Sequence, residues 1–91
     1  MKSLLQNEKE CYITHSKFNL HCHHVYAGSN RKNSDKYGCW VWLRADWHNM
    51  SSKGVHFNRQ LDLKLKQDMQ RAFEEKYGHD KFMEVFHRNY L

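Results

Sequence analysis

The sequence has no proline, only four glycines and three cysteines in its 91 residues. Without proline, its turns depend mainly on Gly28, Gly38, Gly54 and Gly78. An odd number of cysteines leaves at least one thiol unpaired in a monomer, which argues against a secreted disulfide scaffold. These absences fit a protein of the reducing cytoplasm.

Long apolar segments are also missing, because no run approaches the roughly 20 residues needed to cross a bilayer. The N-terminus, MKSLLQNEKE, lacks the apolar core of a signal peptide, since charge returns at Glu8. We therefore expect neither a signal peptide nor a membrane partner. A chain of 91 residues is one domain with a small core, and such domains often gain stability from a metal ion or a partner subunit.

Positive charge and histidine are what the sequence has in excess. Its 15 lysines and arginines against 10 acidic residues give a net charge of +5, which favours a polyanionic partner such as nucleic acid. The eight histidines are the more unusual feature. Clustered imidazoles form transition-metal sites, so the positions of these histidines decide what the sequence can bind.

Alternating and apolar runs predict two β-strands, over residues 18–26 and 39–43, which pair antiparallel. Residues 27–38 (AGSNRKNSDKYG) are expected to form a polar loop between the strands. This connection is longer than a hairpin needs, which is typical of a functional or disordered loop. Residues 1–17 are polar and weakly patterned, so they are interpreted as an N-terminal extension.

A helical pattern follows the strands. Apolar side chains at spacings of three and four predict a long helix over residues 55–77, ending at Gly78. Its apolar stripe consists of Phe57, Leu61, Leu65, Met69, Ala72 and Phe73. A shorter helix is expected over residues 80–87. The prediction is one α+β domain over residues 1–91, in which a two-stranded hairpin packs on one long helix and a short C-terminal helix follows.

Four histidines fall within these elements in an order that favours a metal site. His23 and His24 are adjacent on the first strand, His48 follows the second strand, and His56 begins the long helix. Adjacent strand residues point to opposite faces, so one imidazole can bind a metal while the other faces substrate, provided that the strand end brings both to one cleft. Two ligands on one helical face prefer a spacing of four, and His48 and His56 are eight apart, so His48 must precede the helix. The remaining histidines are interpreted as surface or cap residues: His15, His21, His79 and His87.

The stretch LHCHHVYAGSNRKNSDKYGCWVWLRADWHNMSSKGVHFN resembles HNH (ββα-metal) endonucleases, particularly the short HNH-like proteins of phages and prophages. The resemblance implies a ββα-metal core with its catalytic motif over residues 18–58. It further implies that His24 is the general base that activates water. By the same resemblance, one divalent metal ion is held by His23, His48 and His56.

On that resemblance the protein is a divalent-metal-dependent DNA endonuclease or nickase. It would act in phage DNA metabolism, in the cytoplasm of a bacterial host. Imidazole ligands favour Zn, Mn, Co or Ni, while Mg stays open because substrate phosphates can add oxygen ligands. DNA is the implied partner, and a homodimer or a phage protein partner is left open. Arg31, Lys32 and Lys36 are candidates for phosphate contacts, although a solvated basic loop explains them nearly as well.

The sequence departs from the HNH pattern in two places. The family usually has an asparagine or histidine on the second strand that braces the base, but residues 37–40 read YGCW. Asn33 and Asn49 are the candidates to take its place. Many relatives also carry a Cys-x-x-Cys pair ahead of the first strand, where residues 11–14 read CYIT. The missing asparagine motivates one alternative, a catalytically weak HNH-fold module that binds DNA or a protein partner. A further alternative is a small zinc-stabilised structural domain in a larger phage assembly.

Overall fold

The computed structural model describes residues 2–50 and 54–91, apart from the side chains of residues 49 and 50. Two strands, β1 (Leu20–His24) and β2 (Trp40–Arg44), pair antiparallel. Three α-helices lie within the described residues: α1 (Arg31–Tyr37), α2 (Arg59–Tyr77) and α3 (His79–Phe86). The protein therefore belongs to the α+β class, as predicted. No helix in these two ranges has the length and apolar character required to span a lipid bilayer.

The core lies where the two C-terminal helices pack on the hairpin. Val41 and Leu43 are buried on β2 because alternate strand residues face the same side. Helix α2 contributes side chains at spacings of four, and α3 adds two phenylalanines; the buried set is Leu65, Met69, Phe73, Phe82 and Phe86. Both predicted helices are present, and all three cysteines are free thiols.

The long helix begins later than its apolar stripe suggests. The side chain of Asn58 caps the helix by accepting a hydrogen bond from the backbone N–H of Leu61 at 3.1 Å, so α2 starts at Arg59. His56 and Phe57 belong instead to a preceding 3₁₀ turn. Phe57 is 65% exposed, so its assignment to the core was wrong.

Residues 27–38 are not the polar loop that the sequence predicts. The chain makes a 3₁₀ turn at Gly28–Asn30 and continues as α1, which ends at Tyr37 and is followed by Gly38 in a left-handed conformation. The hydroxyl of buried Ser34 donates to the carbonyl of Tyr26 at 2.6 Å and accepts from its N–H at 3.2 Å. The prediction failed because hydrogen bonds, rather than an apolar stripe, hold this short helix against the strand.

The N-terminal extension lies along the outer edge of β2. The backbone N–H of Tyr12 donates to the carbonyl of Trp42 at 2.8 Å, and Trp42 N–H donates to Oε1 of Gln6 at 2.8 Å. The hydroxyl of Ser3 donates to the carbonyl of Trp40 at 2.5 Å. The extension therefore satisfies backbone groups of β2 that the two-stranded sheet leaves unpaired.

Replacing Gly38 with alanine is expected to destabilise the protein more than replacing Gly28. Both glycines have positive φ, 74° and 63°, where an L side chain costs roughly 1–2 kcal/mol. A Cβ on Gly38 would also overlap the carbonyl oxygen of Lys2, whereas nothing lies within 4 Å of a Cβ on Gly28. We expect Gly38→Ala to lose at least about 1 kcal/mol more free energy of unfolding, measured in urea. Equal losses would contradict the close approach of the extension to Gly38.

Candidate metal centre and its neighbouring histidine

Three histidines from separate elements meet beside the hairpin. His23 lies on β1, His48 in the π-helical turn Asp46–Met50 that follows β2, and His56 in the 3₁₀ turn before α2. Each offers one nitrogen, and the three nitrogens lie within 4.8 Å of one another. Nε2 of His48 is 2.9 Å from Nε2 of His56. The structure thus brings the three predicted ligands together as a three-histidine cluster, with His48 ahead of the helix as its spacing requires.

His23 has the properties of a metal ligand. It is 4% exposed, and its Nε2 has no hydrogen-bond partner among the described residues. An unpaired buried polar atom of this kind costs about 1–3 kcal/mol, so its presence calls for an explanation. Burial lowers the pKa of His23 to about 3, and repulsion from His48 and His56 adds to the effect. His23 is therefore neutral at pH 7, the form that coordinates a metal.

A fourth imidazole orients His48. Its Nδ1 lies 3.0 Å from Nδ1 of His21, so one of the two rings donates a hydrogen bond to the other. Donation by His48 leaves its Nε2 unprotonated and directed at the cluster, the usual arrangement of a metal-binding histidine. Burial lowers the pKa of His48 to about 4, with smaller contributions from His56 and His21. Sequence reasoning missed this contact, although the two-residue strand period already placed His21 on the same face as His23.

The donor set fits a metal ion that binds imidazole. In a tetrahedral zinc site with bonds of about 2.1 Å, two nitrogens lie roughly 3.4 Å apart. The 2.9 Å between His48 and His56 is close to that spacing. No fourth histidine, cysteine or acidic ligand joins the cluster within the described residues. Three protein ligands with an open position are typical of catalytic rather than structural zinc sites.

His24 follows His23 at the end of β1 and lines the same cleft. Two adjoining clefts, of about 270 and 250 Å³, each include His23, His24 and His56. Nε2 of His24 lies 2.6 Å from Oδ1 of Asp35 on α1. Sequence reasoning did not find Asp35 as a partner, because it fell in a segment interpreted as loop, where no periodicity directed it towards the strand.

The basic candidates for phosphate contacts differ in their distance from the cluster. Arg31 is exposed and lines the cleft that contains His48 and His56. Lys32 and Lys36 are exposed as well, but neither is among the residues that line these two clefts. Arg31 is therefore the one of the three whose position suits a contact with a ligand at the cluster.

Of the two asparagine candidates, Asn33 has a described side chain, and no hydrogen bond joins it to His24 among the described residues. Asn33 donates from Nδ2 to the carbonyl of Val85 at 3.3 Å, which ties α1 to α3. It therefore supports the helix that carries Asp35 rather than the base itself. The side chain of Asn49 lies outside the described residues.

No model of a protein family, no curated protein and no solved structure matches this chain. The class of the protein is defined by its own features, an α+β domain with three histidines close enough to hold a metal ion. A function for the protein therefore has to be inferred from the chemistry of that site.

Proposed function

We propose that the protein is a divalent-metal-dependent endonuclease of the HNH type, which hydrolyses phosphodiester bonds in DNA. One observation carries the proposal: His23, whose buried Nε2 has no hydrogen-bond partner among the described residues, belongs to a three-imidazole cluster that shares its cleft with His24, and His24 contacts Asp35. The succession of β1, β2 and α2 is compatible with a ββα-metal core. The net charge of +5 supports a polyanionic substrate.

Three residues would hold the metal: His23, His48 and His56. When bound, the ion neutralises charge on a phosphate oxygen and on the leaving oxygen. The lowered pKa values of His23 and His48 keep both rings neutral at pH 7, so no proton has to be removed before they coordinate. The contact from His21 fixes the orientation of the His48 ring.

His24 is the general base in this proposal, and it acts through Nδ1. Its Nε2 donates to Asp35, which fixes the ring orientation and the tautomer and leaves the Nδ1 lone pair to accept a proton from water. Asp35 also stabilises the imidazolium that forms, because its carboxylate lies 2.6 Å from the ring nitrogen. Asp35 thus positions the base, which is the function that an asparagine usually has in HNH endonucleases.

The absent asparagine on β2 favours one alternative, an HNH-fold module that binds DNA or a protein partner with little cleavage. The contact from Asp35 weakens that alternative, since it gives His24 a brace of another kind. A zinc-stabilised structural domain has less support, because structural sites usually have four protein ligands and the described residues supply three. The resemblance extends the proposal to phage DNA metabolism in a bacterial cytoplasm, with a homodimer or a phage protein as partner.

The test is nicking of supercoiled plasmid by the purified protein, with Mg, Mn, Co, Ni and Zn supplied separately. We expect relaxed circles with at least one metal and none in EDTA. A folded, metal-loaded protein that leaves the plasmid intact with every metal overturns the nuclease proposal. Salt-dependent DNA binding would then support the binding module, whereas zinc-dependent folding without DNA binding would support the structural domain.

A further inference from the structure

A groove leads away from the three-histidine cluster along the N-terminal half of α2. The cleft of about 270 Å³ at the cluster is also lined by Arg59, Asp62 and Lys66. The same three residues line a further cleft, of about 320 Å³, which reaches Arg88 and Tyr90 in the C-terminal tail. The two clefts therefore adjoin along these three residues, and together they are here called the basic groove.

The charge of the basic groove is positive. The carboxylate of Asp62 is offset by Lys66, whose Nζ lies 2.8 Å away. Arg59 and Arg88 are exposed, and neither forms an ion pair with an acidic side chain in the part of the chain that the structure describes. Two guanidinium groups without an acidic partner are suited to paired hydrogen bonds with phosphate oxygens.

The C-terminal tail is held in place, so Arg88 has a defined position beside α2. The N–H of Tyr90 donates to Oε1 of buried Gln70 at 2.8 Å, and Gln67 donates to the carbonyl of Tyr90 at 2.9 Å. The Tyr90 ring also stacks on Tyr26, with 5.5 Å between the ring centroids. This anchoring lowers the entropy that Arg88 would lose on binding a ligand.

We infer that a polynucleotide strand held at the three-histidine cluster continues along the basic groove, where Arg59 and Arg88 bind its flanking phosphates. The inference takes its substrate class from the proposed function and adds the path of the strand. From Arg59 to Lys66 the helix rises about 10 Å. That length accommodates about three nucleotides at roughly 3.4 Å each.

The test compares two double variants in a His24→Ala background, so that the oligonucleotide stays intact. Arg59→Gln/Arg88→Gln removes two charges from the basic groove. The control, Arg71→Gln/Lys76→Gln, removes two charges from exposed positions elsewhere on α2. Binding of a fluorescein-labelled 16-mer (a length of about five times the groove's span), single-stranded and duplex, is followed by anisotropy against salt concentration.

We expect the groove variant to lose affinity in at least one of the two forms of the oligonucleotide. Log K falls as log salt rises, and loss of two phosphate contacts makes this fall less steep by about 1.4–1.8. At 0.1 M salt, one decade below 1 M, that change corresponds to a loss of roughly 25- to 60-fold in affinity. The single variants Arg59→Gln and Arg88→Gln should each lower the slope by about half as much, which keeps the test decisive if the double variant is unstable. Equal binding by groove and control variants overturns the inference.

The outcomes separate this inference from the proposed function. If the wild type cuts no plasmid but the groove variant binds more weakly, the groove binds nucleic acid and the nuclease proposal alone fails. If the wild type cuts plasmid and both variants bind alike, the groove alone fails. In an active background, the groove substitutions should raise KM for the oligonucleotide more than they lower kcat, because contacts to flanking phosphates act on binding. A loss confined to kcat would place Arg59 or Arg88 in the chemical step and overturn the inference.

Discussion

Replacing His24 with alanine is expected to slow plasmid nicking by about 100- to 10,000-fold, the usual contribution of a general base. The loss should appear in the rate at saturating metal, because no residue of the three-histidine cluster is changed. Metal affinity, measured by titration calorimetry, should stay at the wild-type value, since the His24 ring is not one of the three clustered ligands. The measurement is the rate at which supercoiled plasmid disappears.

His79→Ala is the matched control. Nδ1 of His79 lies 2.7 Å from Glu74, much as His24 lies 2.6 Å from Asp35, so each variant removes one histidine–carboxylate contact. The control should nick at the wild-type rate. Asp35→Ala keeps the proposed base but removes the carboxylate that orients it, and we expect the nicking rate to fall by about 10- to 100-fold. A His24→Ala protein as active as His79→Ala would contradict the assignment of the base.

Replacing His23 with leucine is expected to stabilise the metal-free protein and to remove most of the stabilisation that metal gives. In EDTA, leucine should raise the free energy of unfolding by about 1–3 kcal/mol, because it removes the unpaired buried nitrogen. With metal at about 100 times its Kd, the wild type gains about 2.7 kcal/mol, or roughly 10–20 °C in Tm. The variant should gain almost nothing, because losing a ligand weakens metal affinity by about 100-fold or more.

Thermal melts in EDTA and in excess metal measure both effects on the same samples. His79→Leu introduces the same side chain at an exposed position of α3, and its metal-dependent rise in Tm should equal that of the wild type. An undiminished metal-dependent rise in His23→Leu would remove His23 from the ligand set. A lower Tm in EDTA would show that the nitrogen of His23 has a favourable interaction in the metal-free protein.

The parts of the fold that the sequence predicts are those held by apolar periodicity. Two patterns mark the elements whose buried faces are apolar. On β2, alternate residues point inward, at Val41 and Leu43. On α2, buried side chains recur every four residues, at Leu65, Met69 and Phe73. Helix α1 was not predicted because its one buried residue is a serine, Ser34. A side chain held by hydrogen bonds leaves no hydrophobic period for a sequence-based argument to find.

The residues of the candidate site also fall into a group that the sequence could predict and a group that it could not. His23, His48 and His56 could be named together because they fall beside strand and helix ends that the pattern locates, and because the stretch resembles HNH enzymes. The contacts made by His21 and Asp35 depend on the orientation of two imidazole rings and of a short helix, and the spacing of residues in the sequence specifies neither orientation. The residues of the basic groove could not be predicted from the sequence for another reason. Arg59 and Arg88 are 29 positions apart (88 − 59), and they line the same cleft only because the C-terminal tail folds back on α2.

The N-terminal extension limits how copies of this protein can associate. A strand with an open edge is a template for pairing with the same strand of another molecule, and such pairing leads to aggregation. On β2, backbone groups of Trp42 are already bonded to Gln6 and Tyr12, which belong to no strand and so cannot extend the ladder. A homodimer would therefore not form by joining β2 edges into a continuous sheet. The least patterned segment of the sequence thus protects the β2 edge against β-aggregation.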